Sequence, residues 1–255
     1  MKIVVLVKQV PDTGEERTLD HATGRVDRIS GENVVDEINE RALEVALRYK
    51  DANKGAEVVL LSMGPESANK ALRKALSMGA DAAIHLVDDS LSGSDALATS
   101  AALAAALRDS AADLVVAGNE STDGRGGVVP AMVAERLGLP LLGSLDSVEI
   151  AAGSVSGQCS AEGGTMTIRA ALPAVISVTE RAAEARFPNF KGILTAKRKP
   201  LTGMAADQLE LGVAGGSSAV LSTMERPART AGKKIYDDGN AGIELAEFLV
   251  AGRLV

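Results

Sequence analysis

The sequence predicts an α/β fold in which a doubly wound, mostly parallel sheet carries helices on both faces. Short apolar runs alternate with helical patterns up to about residue 145, which is the order of βαβ units. The runs are continuous rather than alternating, as expected of strands buried on both faces. A polar, glycine-rich stretch follows the fourth run, where such sheets bind their ligands. Together these observations indicate a nucleotide-binding, Rossmann-like domain.

The predicted elements follow one another in a regular order. The first strand spans 2–8, and Pro11 then ends the pairing because proline has no N–H to donate. A polar excursion at 15–33, with a hairpin tip at 20–25, is long enough to suggest a functional loop. Asp36 is placed to cap the first helix. The further elements are a strand at 57–63, a helix opened by Pro65 and closed by Gly79, a strand at 81–87, a helix from Asp95 to Asp109, a strand at 113–118 and a helix from Val128 to Gly138.

An antiparallel addition is predicted at about 145–171. An extended segment begins at 140–145, and alternating apolar and polar residues follow it, with glycine-containing turns between them. The segment 173–178 is apolar throughout and is expected to return to the main sheet. The short antiparallel strands are predicted at 147–150, 153–159 and 165–171.

The rest of the chain has little periodicity. Beyond Arg181 no strong pattern occurs until a terminal helix at 242–254, and 212–218 has the composition of a linker. We therefore expect an α/β nucleotide-binding domain at 1–180, which includes the antiparallel strands, and an arm at 181–255. Because the arm has few core residues of its own, a partner subunit is the natural surface for it.

The composition narrows the class of function. A net charge of −7 argues against broad nucleic-acid binding. The single cysteine, Cys159, excludes an internal disulfide, and two isolated histidines form no metal-ligand cluster, so we expect no metal. No nucleophile–base pair is visible, and no catalytic residue is expected. The chain has no membrane-length apolar run, and its opening stretch is too short for a signal peptide, which favours a soluble, cytoplasmic protein of bacterial type.

The stretch from Gly118 to Val129 is the candidate ligand site. Gly124, Gly126 and Gly127 are able to adopt φ > 0 and to turn successive N–H groups toward one point. The helix that follows adds free N–H groups and a partial positive charge, so the site suits a phosphate. The spacing matches neither a Walker loop nor G-x-G-x-x-G, and a flexible turn is the alternative. If the first and fourth strands flank the reversal of strand order, the loops after both strands share one crevice.

Several stretches, in this order and spacing, resemble the β subunit of electron transfer flavoproteins. The resemblance covers essentially the whole chain, although each motif alone is weak. The stretches that carry it are 4–13, 76–81, the Glu162-Gly163-Gly164 turn followed by 172–178, Arg186-Phe187-Pro188-Asn189, Lys197-Arg198-Lys199 and 227–232.

The resemblance implies a heterodimer in which an α subunit holds FAD, alone or shared, while this chain binds a second adenine nucleotide, usually AMP. Gly126, Gly127, Val128 and Val129 would offer N–H groups to its phosphate. Ser121 and Thr122 would add hydroxyl groups. For Leu6 and Met63 simple core packing is the alternative. The implied nucleotide-binding residues are Leu6, Asp36, Glu37, Ile38, Asn39, Met63, Gly118, Asn119, Ser121, Thr122, Asp123, Gly124, Gly126, Gly127, Val128 and Val129.

The resemblance also implies contacts with redox partners. Thr13 falls near the flavin of the α subunit, at a position where many family members carry Tyr. Phe187 and Pro188 fall in the recognition loop that docks acyl-CoA dehydrogenases, where Leu is common, and the arm that follows packs on the α subunit. Lys191, together with 197–199, would steer acidic partners. Ordinary packing is the alternative for Phe187, and a solvated basic turn is the alternative for the lysines.

Three functions remain to be weighed. The first is an electron carrier subunit with a structural AMP, which accepts electrons from acyl-CoA and other flavin dehydrogenases and passes them to a membrane quinone oxidoreductase. The second is electron bifurcation, with a second FAD that NADH reduces. The loop at 123–129 lacks the Thr and Gln typical of bifurcating members, which disfavours it. The third is a stand-alone nucleotide sensor, on which view residues 145–255 have no explanation.

Overall fold

The computed structural model describes residues 1–209, 218, 220–224 and 226–255, which form two compact units, Met1–Leu221 and Ser222–Val255. The first unit contains a nine-stranded sheet and two short two-stranded ribbons. The strands are β1 (Lys2–Leu6), β2 (Gln9–Pro11), β3 (Leu19–Asp20), β4 (Arg25–Val26), β5 (Asn33–Val35), β6 (Glu57–Met63), β7 (Ala82–Leu86), β8 (Leu114–Gly118), β9 (Leu141–Ala151), β10 (Ser154–Ala161), β11 (Gly164–Ala171), β12 (Ala174–Val178) and β13 (Leu201–Met204).

The order of the sheet is β11-β10-β9-β12-β8-β1-β6-β7-β13. In this spatial order, every neighbouring pair from β9 across to β13 is parallel. The strands β10 and β11 add antiparallel pairs at the opposite edge from β13. The chain leaves β1 toward β6 and β7, and then returns to the other side of β1 for β8 and β12. The strand order therefore reverses between β1 and β8. This confirms the predicted doubly wound sheet and the predicted position of its reversal.

Helices cover both faces of this sheet. They are α1 (Glu37–Ala52), α2 (Ala68–Met78), α3 (Ala96–Arg108), α4 (Val129–Leu137), α5 (Phe190–Ala196) and, in the second unit, α6 (Ala241–Ala251). Ile3 and Val5 of β1 pack with α1 and α2, whereas Val4 and Leu6 pack with α3 and α4. Alternate residues of one strand thus enter two apolar layers, which explains why the strands are continuous apolar runs. Within the described ranges, no helix has the length and apolar character needed to cross a bilayer.

Several predicted element boundaries are wrong. The first strand ends at Leu6 rather than at residue 8, and the chain then forms β2, which pairs with β5 outside the main sheet. The helix α2 begins at Ala68 rather than at Pro65, since Pro65 to Ser67 form a tighter turn in which the Ala68 N–H donates to the Pro65 carbonyl at 2.9 Å. The strand predicted at 147–150 is not separate but is the second half of β9. One long strand serves both purposes because its first half pairs in parallel with β12 and its second half pairs antiparallel with β10.

Beyond Arg181 the structure contains two elements that the sequence did not predict. They are α5 and β13, of seven and four residues. Elements of this length are too short for a period to be read. The hairpin predicted at 20–25 is confirmed by β3 and β4, and the terminal helix is confirmed by α6. The predicted linker at 212–218 falls, except for Ser218, outside the described residues.

Candidate functional site: a crevice at the carboxyl edge of the sheet

The loops after β1 and β8 meet across the point where the strand order reverses. Lys8 follows β1, and its N–H donates to Asn39 Oδ1 at 2.7 Å. Its ammonium group donates to Ser121 Oγ at 3.1 Å and to Asp123 Oδ1 at 2.6 Å. The two loops therefore lie side by side, as predicted, and Lys8 joins them at the edge of the candidate crevice.

Asp36 ties the glycine-rich loop to the start of α1. Its carboxylate is fully buried, and Oδ1 accepts the Ile38 N–H at 3.1 Å, which confirms the predicted helix cap. Oδ2 accepts the N–H and the hydroxyl of Thr122, at 2.8 and 3.2 Å. Burial raises the pKa of Asp36, and the hydrogen bonds from Thr122 and Ile38 oppose this rise. One carboxylate thus positions both the helix and the loop.

Asp123 is the second buried carboxylate of the loop. Its side chain is inaccessible to solvent, and it forms ion pairs with Lys8 and Arg28. Burial alone would raise its pKa, but the hydrogen bond and charge of Lys8, the hydrogen bond of Ser121 and the charge of Arg28 lower it to about 2. Asp123 is therefore ionised at neutral pH and holds both cations against the loop.

Two arginines of the polar excursion reach the same loop. Arg28 binds Asp123, and the guanidinium of Arg17 donates to the carbonyl of Thr122, to its hydroxyl at 3.0 Å and to the Pro11 carbonyl at 2.9 Å. Sequence reasoning identified the excursion as functional but named neither arginine, nor Lys8. Their signal was weak because a charged loop residue does not reveal which distant loop it contacts.

The glycine-rich loop has a different backbone from the predicted one. Only Gly127 among the three loop glycines has a positive φ, of 66°, while Gly124 and Gly126 do not. Arg125, two residues before Gly127, also adopts the left-handed conformation, with φ of 47°. A non-glycine residue accepts this region at a modest cost, so the glycines are not all required by the turn itself.

A row of free N–H groups borders the crevice. Those of Gly126, Gly127, Val128 and Val129 have no acceptor among the described residues. The first N–H bonded within the helix is that of Met132, which donates to Val128 at 3.0 Å. No atom lies within 4 Å of the position that a Cβ of Gly126 would occupy, so the row is open to a ligand. This geometry suits an anion.

The predicted apolar residues belong to one layer of the core, and the predicted residue Asn119 has an unpaired amide oxygen. Leu6 is buried, and Met63 and Val129 pack half-buried in the same apolar layer. The Asn119 N–H donates to the Val178 carbonyl at 2.8 Å, whereas its Oδ1 is buried and has no partner in the part of the chain described. A buried acceptor without a donor is unusual and fits a site that a ligand completes.

The end of β8 packs tightly on the start of α1. A Cβ on Gly118 would lie 2.7 Å from Asn39 Nδ2 and 2.8 Å from Ile38 Cγ2. Glycine is therefore needed at this position. Nearby, Thr13 Oγ1 donates to Glu37 Oε1 at 2.8 Å, and both residues are exposed at the rim. Thr13 thus lies at the same edge as the predicted nucleotide-binding residues.

The predicted docking residues lie in a different segment. Phe187 is 93% exposed and Phe190 is 77% exposed, so the alternative of ordinary packing is wrong for both. Pro188 is half-buried and Lys191 is exposed. Lys199, in contrast, is not free to steer a partner, because its ammonium donates to the carbonyls of Leu76, at 2.9 Å, and Ala80.

Comparison with known proteins identifies the family. The family model described as "Electron transfer flavoprotein domain" matches residues 23–209. An electron transfer flavoprotein subunit beta of Mycobacterium tuberculosis is 49% identical over an alignment that covers 99% of each chain. This chain belongs to the electron transfer flavoprotein β-subunit family. The family resemblance inferred from the sequence motifs is thereby confirmed.

More distant members of the electron transfer flavoprotein family align over similar lengths. A subunit beta of Megasphaera elsdenii is 35% identical over the full length of both chains. A protein of Acetobacterium woodii named "Caffeyl-CoA reductase-Etf complex subunit CarD" is 33% identical and covers 98% of this chain and 97% of its own. Because the relatives match residues 145–255 as well, a stand-alone nucleotide sensor does not account for the chain.

No metal centre accompanies this site in the described residues. They contain no group of three or more His, Cys, Asp or Glu side chains placed to hold an ion. The buried Cys159 is a free cysteine in β10, the second strand from one edge of the sheet. The crevice thus offers N–H donors, amides and apolar side chains, which suit the binding of a nucleotide.

Proposed function

We propose that this chain is the AMP-binding and partner-docking subunit of a two-subunit electron carrier. In this proposal an α-type subunit holds FAD, acyl-CoA and other flavin dehydrogenases of fatty acid oxidation supply electrons, and a membrane quinone oxidoreductase accepts them. The single observation that carries the nucleotide assignment is the row of free N–H groups at 126–129, whose last residue, Val129, packs in the same apolar layer as Leu6 and Met63. Family membership supports the role in electron transfer.

The residues present fit an adenine nucleotide. The N–H groups of Gly126, Gly127, Val128 and Val129 are free to bind phosphate oxygens. The unpartnered Oδ1 of Asn119 would accept a hydrogen bond from a nucleotide amino or hydroxyl group. Five further predicted residues have side chains that bond to other protein groups and thereby hold the loop in place. They are Asp36, Asn39, Ser121, Thr122 and Asp123.

Three cations near the glycine-rich loop are already bound to protein groups. Lys8 and Arg28 are paired with Asp123, and Arg17 is bound to carbonyl and hydroxyl oxygens. These cations stabilise the loop and are not free to neutralise a ligand. The donors left for a ligand are therefore the N–H groups of one helix start and the exposed guanidinium of Arg125, which suffice for the single phosphate of AMP.

Docking of dehydrogenases is assigned to the segment that begins at Phe187. An exposed aromatic residue is the type of side chain that forms a binding hot spot. Phe187 and Phe190 are exposed in this segment, and Lys191 beside them is exposed as well. FAD in the α-type subunit supplies the redox chemistry, and this chain contributes binding and orientation through these residues and through Thr13 at the rim.

A second candidate function is electron bifurcation, in which the crevice holds FAD and NADH is the reductant. One full-length relative is named as a subunit of a caffeyl-CoA reductase-Etf complex, which is the observation that keeps this candidate open. The absence of Thr and Gln from 123–129 argues against it.

The nucleotide content of the co-purified two-subunit complex separates the two candidates. Acid extraction followed by chromatography is expected to release one FAD and one AMP per complex. Two FAD and no AMP would overturn the proposal in favour of bifurcation. Stoichiometric FAD on the isolated chain would contradict the assignment of the flavin to the α-type subunit.

A further inference from the structure

The docking segment is held at its start by a buried carboxylate. Glu44 of α1 is only 5% exposed. Its Oε2 accepts Nε of Arg186 at 2.6 Å, and its Oε1 accepts Nη2 of Arg186 at 3.1 Å and Nε of Arg48 at 3.1 Å. Arg186 also donates to Asp51 at 2.8 Å. These bonds, that to Glu44 foremost, raise the pKa of Arg186 above its ordinary high value. The residue immediately before Phe187 is therefore fixed to α1 by a bidentate ion pair.

The end of the docking segment is held by reciprocal helix capping. Arg73 of α2 donates to the carbonyls of Ala196 and Lys199, both at 2.8 Å, at the end of α5. Lys199 in turn donates to the carbonyl of Leu76 at 2.9 Å, at the end of α2. Arg73 of α2 thus satisfies carbonyls at the end of α5, and Lys199, which follows α5, satisfies a carbonyl at the end of α2.

The middle of the segment lies against α2 as well. A Cβ on Gly192 would lie 2.3 Å from the carbonyl oxygen of Ser77, so the backbones of α5 and α2 are in direct contact. Asn189 caps α5, because its Oδ1 accepts the Gly192 N–H at 2.7 Å. The backbone on both sides of Phe190 is therefore anchored, although the side chain points away from the core.

These contacts have one joint effect, which is to present exposed aromatic side chains on a fixed backbone. Ordering a flexible loop at the moment of binding costs free energy, and a loop that is already ordered avoids this cost. Glu44 is central to these contacts, since both Arg48 and Arg186 bond to its carboxylate and Arg186 immediately precedes Phe187.

We propose that Glu44 is a positioning residue for electron-donor docking, which acts through Arg186 to hold Phe187 in its binding position. This inference rests on the proposed docking function of the segment. The side chain of Glu44 bonds to Arg48 and Arg186 rather than to residues of the nucleotide crevice, and its role is exerted on the binding of the dehydrogenase rather than on electron transfer within the complex.

The test compares variants of the two-subunit complex with an acyl-CoA dehydrogenase as the electron donor and the carrier concentration varied. Phe187→Ala is expected to raise KM for the carrier at least about tenfold, as truncation of a hot spot does. Glu44→Gln is expected to raise KM about five- to tenfold with kcat unchanged, because the bound state must then order the segment. The control is Glu40→Gln, which removes the Lys74–Glu40 ion pair of 2.8 Å, also on α1, and is expected to leave KM unchanged.

The double variant Glu44→Gln/Phe187→Ala decides whether Glu44 acts through Phe187. A positioning role predicts that Glu44→Gln adds little to KM once Phe187 is absent, because the two effects are coupled. Full additivity of the two effects, a fall in kcat, or an unchanged KM in Glu44→Gln would each overturn the inference. If Glu44→Gln does not give a folded complex, Arg186→Lys is measured in the same way, since lysine keeps the charge but not the paired donors.

The outcomes also separate this inference from the docking function on which it rests. A raised KM in Phe187→Ala with no effect of Glu44→Gln or Arg186→Lys retains docking and rejects the positioning role. An unchanged KM in Phe187→Ala rejects docking by this segment, and the inference with it.

Discussion

At the scale of single residues, Asp123 carries the clearest electrostatic prediction. Asp123→Asn keeps the shape of the side chain but removes the charge that holds Lys8 and Arg28. The expected loss is about 1–3 kcal/mol of unfolding free energy, which is less than for a fully enclosed pair because both cations remain open to hydration. Urea unfolding of the full chain measures this difference.

The pH dependence of that difference has a defined sign. The folded pKa of Asp123, about 2, lies below its ordinary value of 3.8. The ionised form is therefore favoured by folding, and its contribution is complete above 3.8 and declines as the pH falls toward 2. The wild type should exceed Asp123→Asn by more at about pH 6 than at about pH 3. A gap that widens on acidification would contradict the assigned ion pairs.

Gly126 allows a charge to be placed in the cradle without backbone strain. It has no positive φ and no neighbour within 4 Å of its Cβ position, unlike Gly127, whose φ is 66°. Gly126→Asp would set a carboxylate against the bound phosphate, so AMP content and thermal stability of the two-subunit complex should fall. Flavin reduction in the assembled complex should persist.

The matched control for this experiment is Gly126→Ala, which adds a Cβ into open space and should retain AMP. Equal loss of AMP in both variants would indicate a steric effect instead of repulsion. Loss of flavin reduction in a normally assembled Gly126→Asp complex would move the site into the redox chemistry and support bifurcation.

At the scale of elements, we expect Asp36 to stabilise both the start of α1 and the glycine-rich loop. Asp36→Ala removes the cap of the Ile38 N–H and leaves the Thr122 N–H without its acceptor. The expected cost is about 2–3 kcal/mol, the sum of a lost helix cap and an unsatisfied buried donor. Hydrogen exchange should quicken at Ile38 and at Thr122 alike.

Asp36→Asn is the matched control, because one amide oxygen still accepts a hydrogen bond. It should retain protection at one of the two N–H groups. Faster exchange at Ile38 alone in Asp36→Ala would show that the loop does not depend on this carboxylate.

The elements also show which parts of the fold and of the candidate site could be predicted from the sequence. The strands β1, β6, β8 and β12 were predictable because burial on both faces forces a continuous apolar run. The position of the crevice followed from the order of those strands. The conformation of Arg125 and the contacts of Arg17 did not, since both depend on which distant groups the loop meets. The segment α5 was missed because its seven residues are held by Arg73 and Gly192 rather than by an amphipathic pattern.

At the scale of the whole molecule, none of the described residues of the second unit is buried. Within Ser222–Val255, α6 contains no buried residue, and its exposed apolar side chains include Phe248. A helix that is apolar on its surface needs another surface to cover it. We propose that the α-type subunit provides this surface.

Phe248→Asp tests that assignment. Phe248 is 60% exposed, so the melting temperature of the chain alone should change by only a few degrees, whereas affinity for the α-type subunit should fall at least about tenfold, as expected when a charge replaces an interface aromatic. Glu247→Ala, at an exposed position one residue before it, is the control and should retain affinity. Titration of the α-type subunit with either variant measures the effect.

Unchanged affinity in Phe248→Asp would show that α6 does not lie in the subunit interface, whereas a lowered melting temperature of the chain alone would show that Phe248 is covered within the chain. Since α6 follows a unit with its own apolar layers, we expect the first unit to remain folded and to retain its crevice when α6 loses its partner.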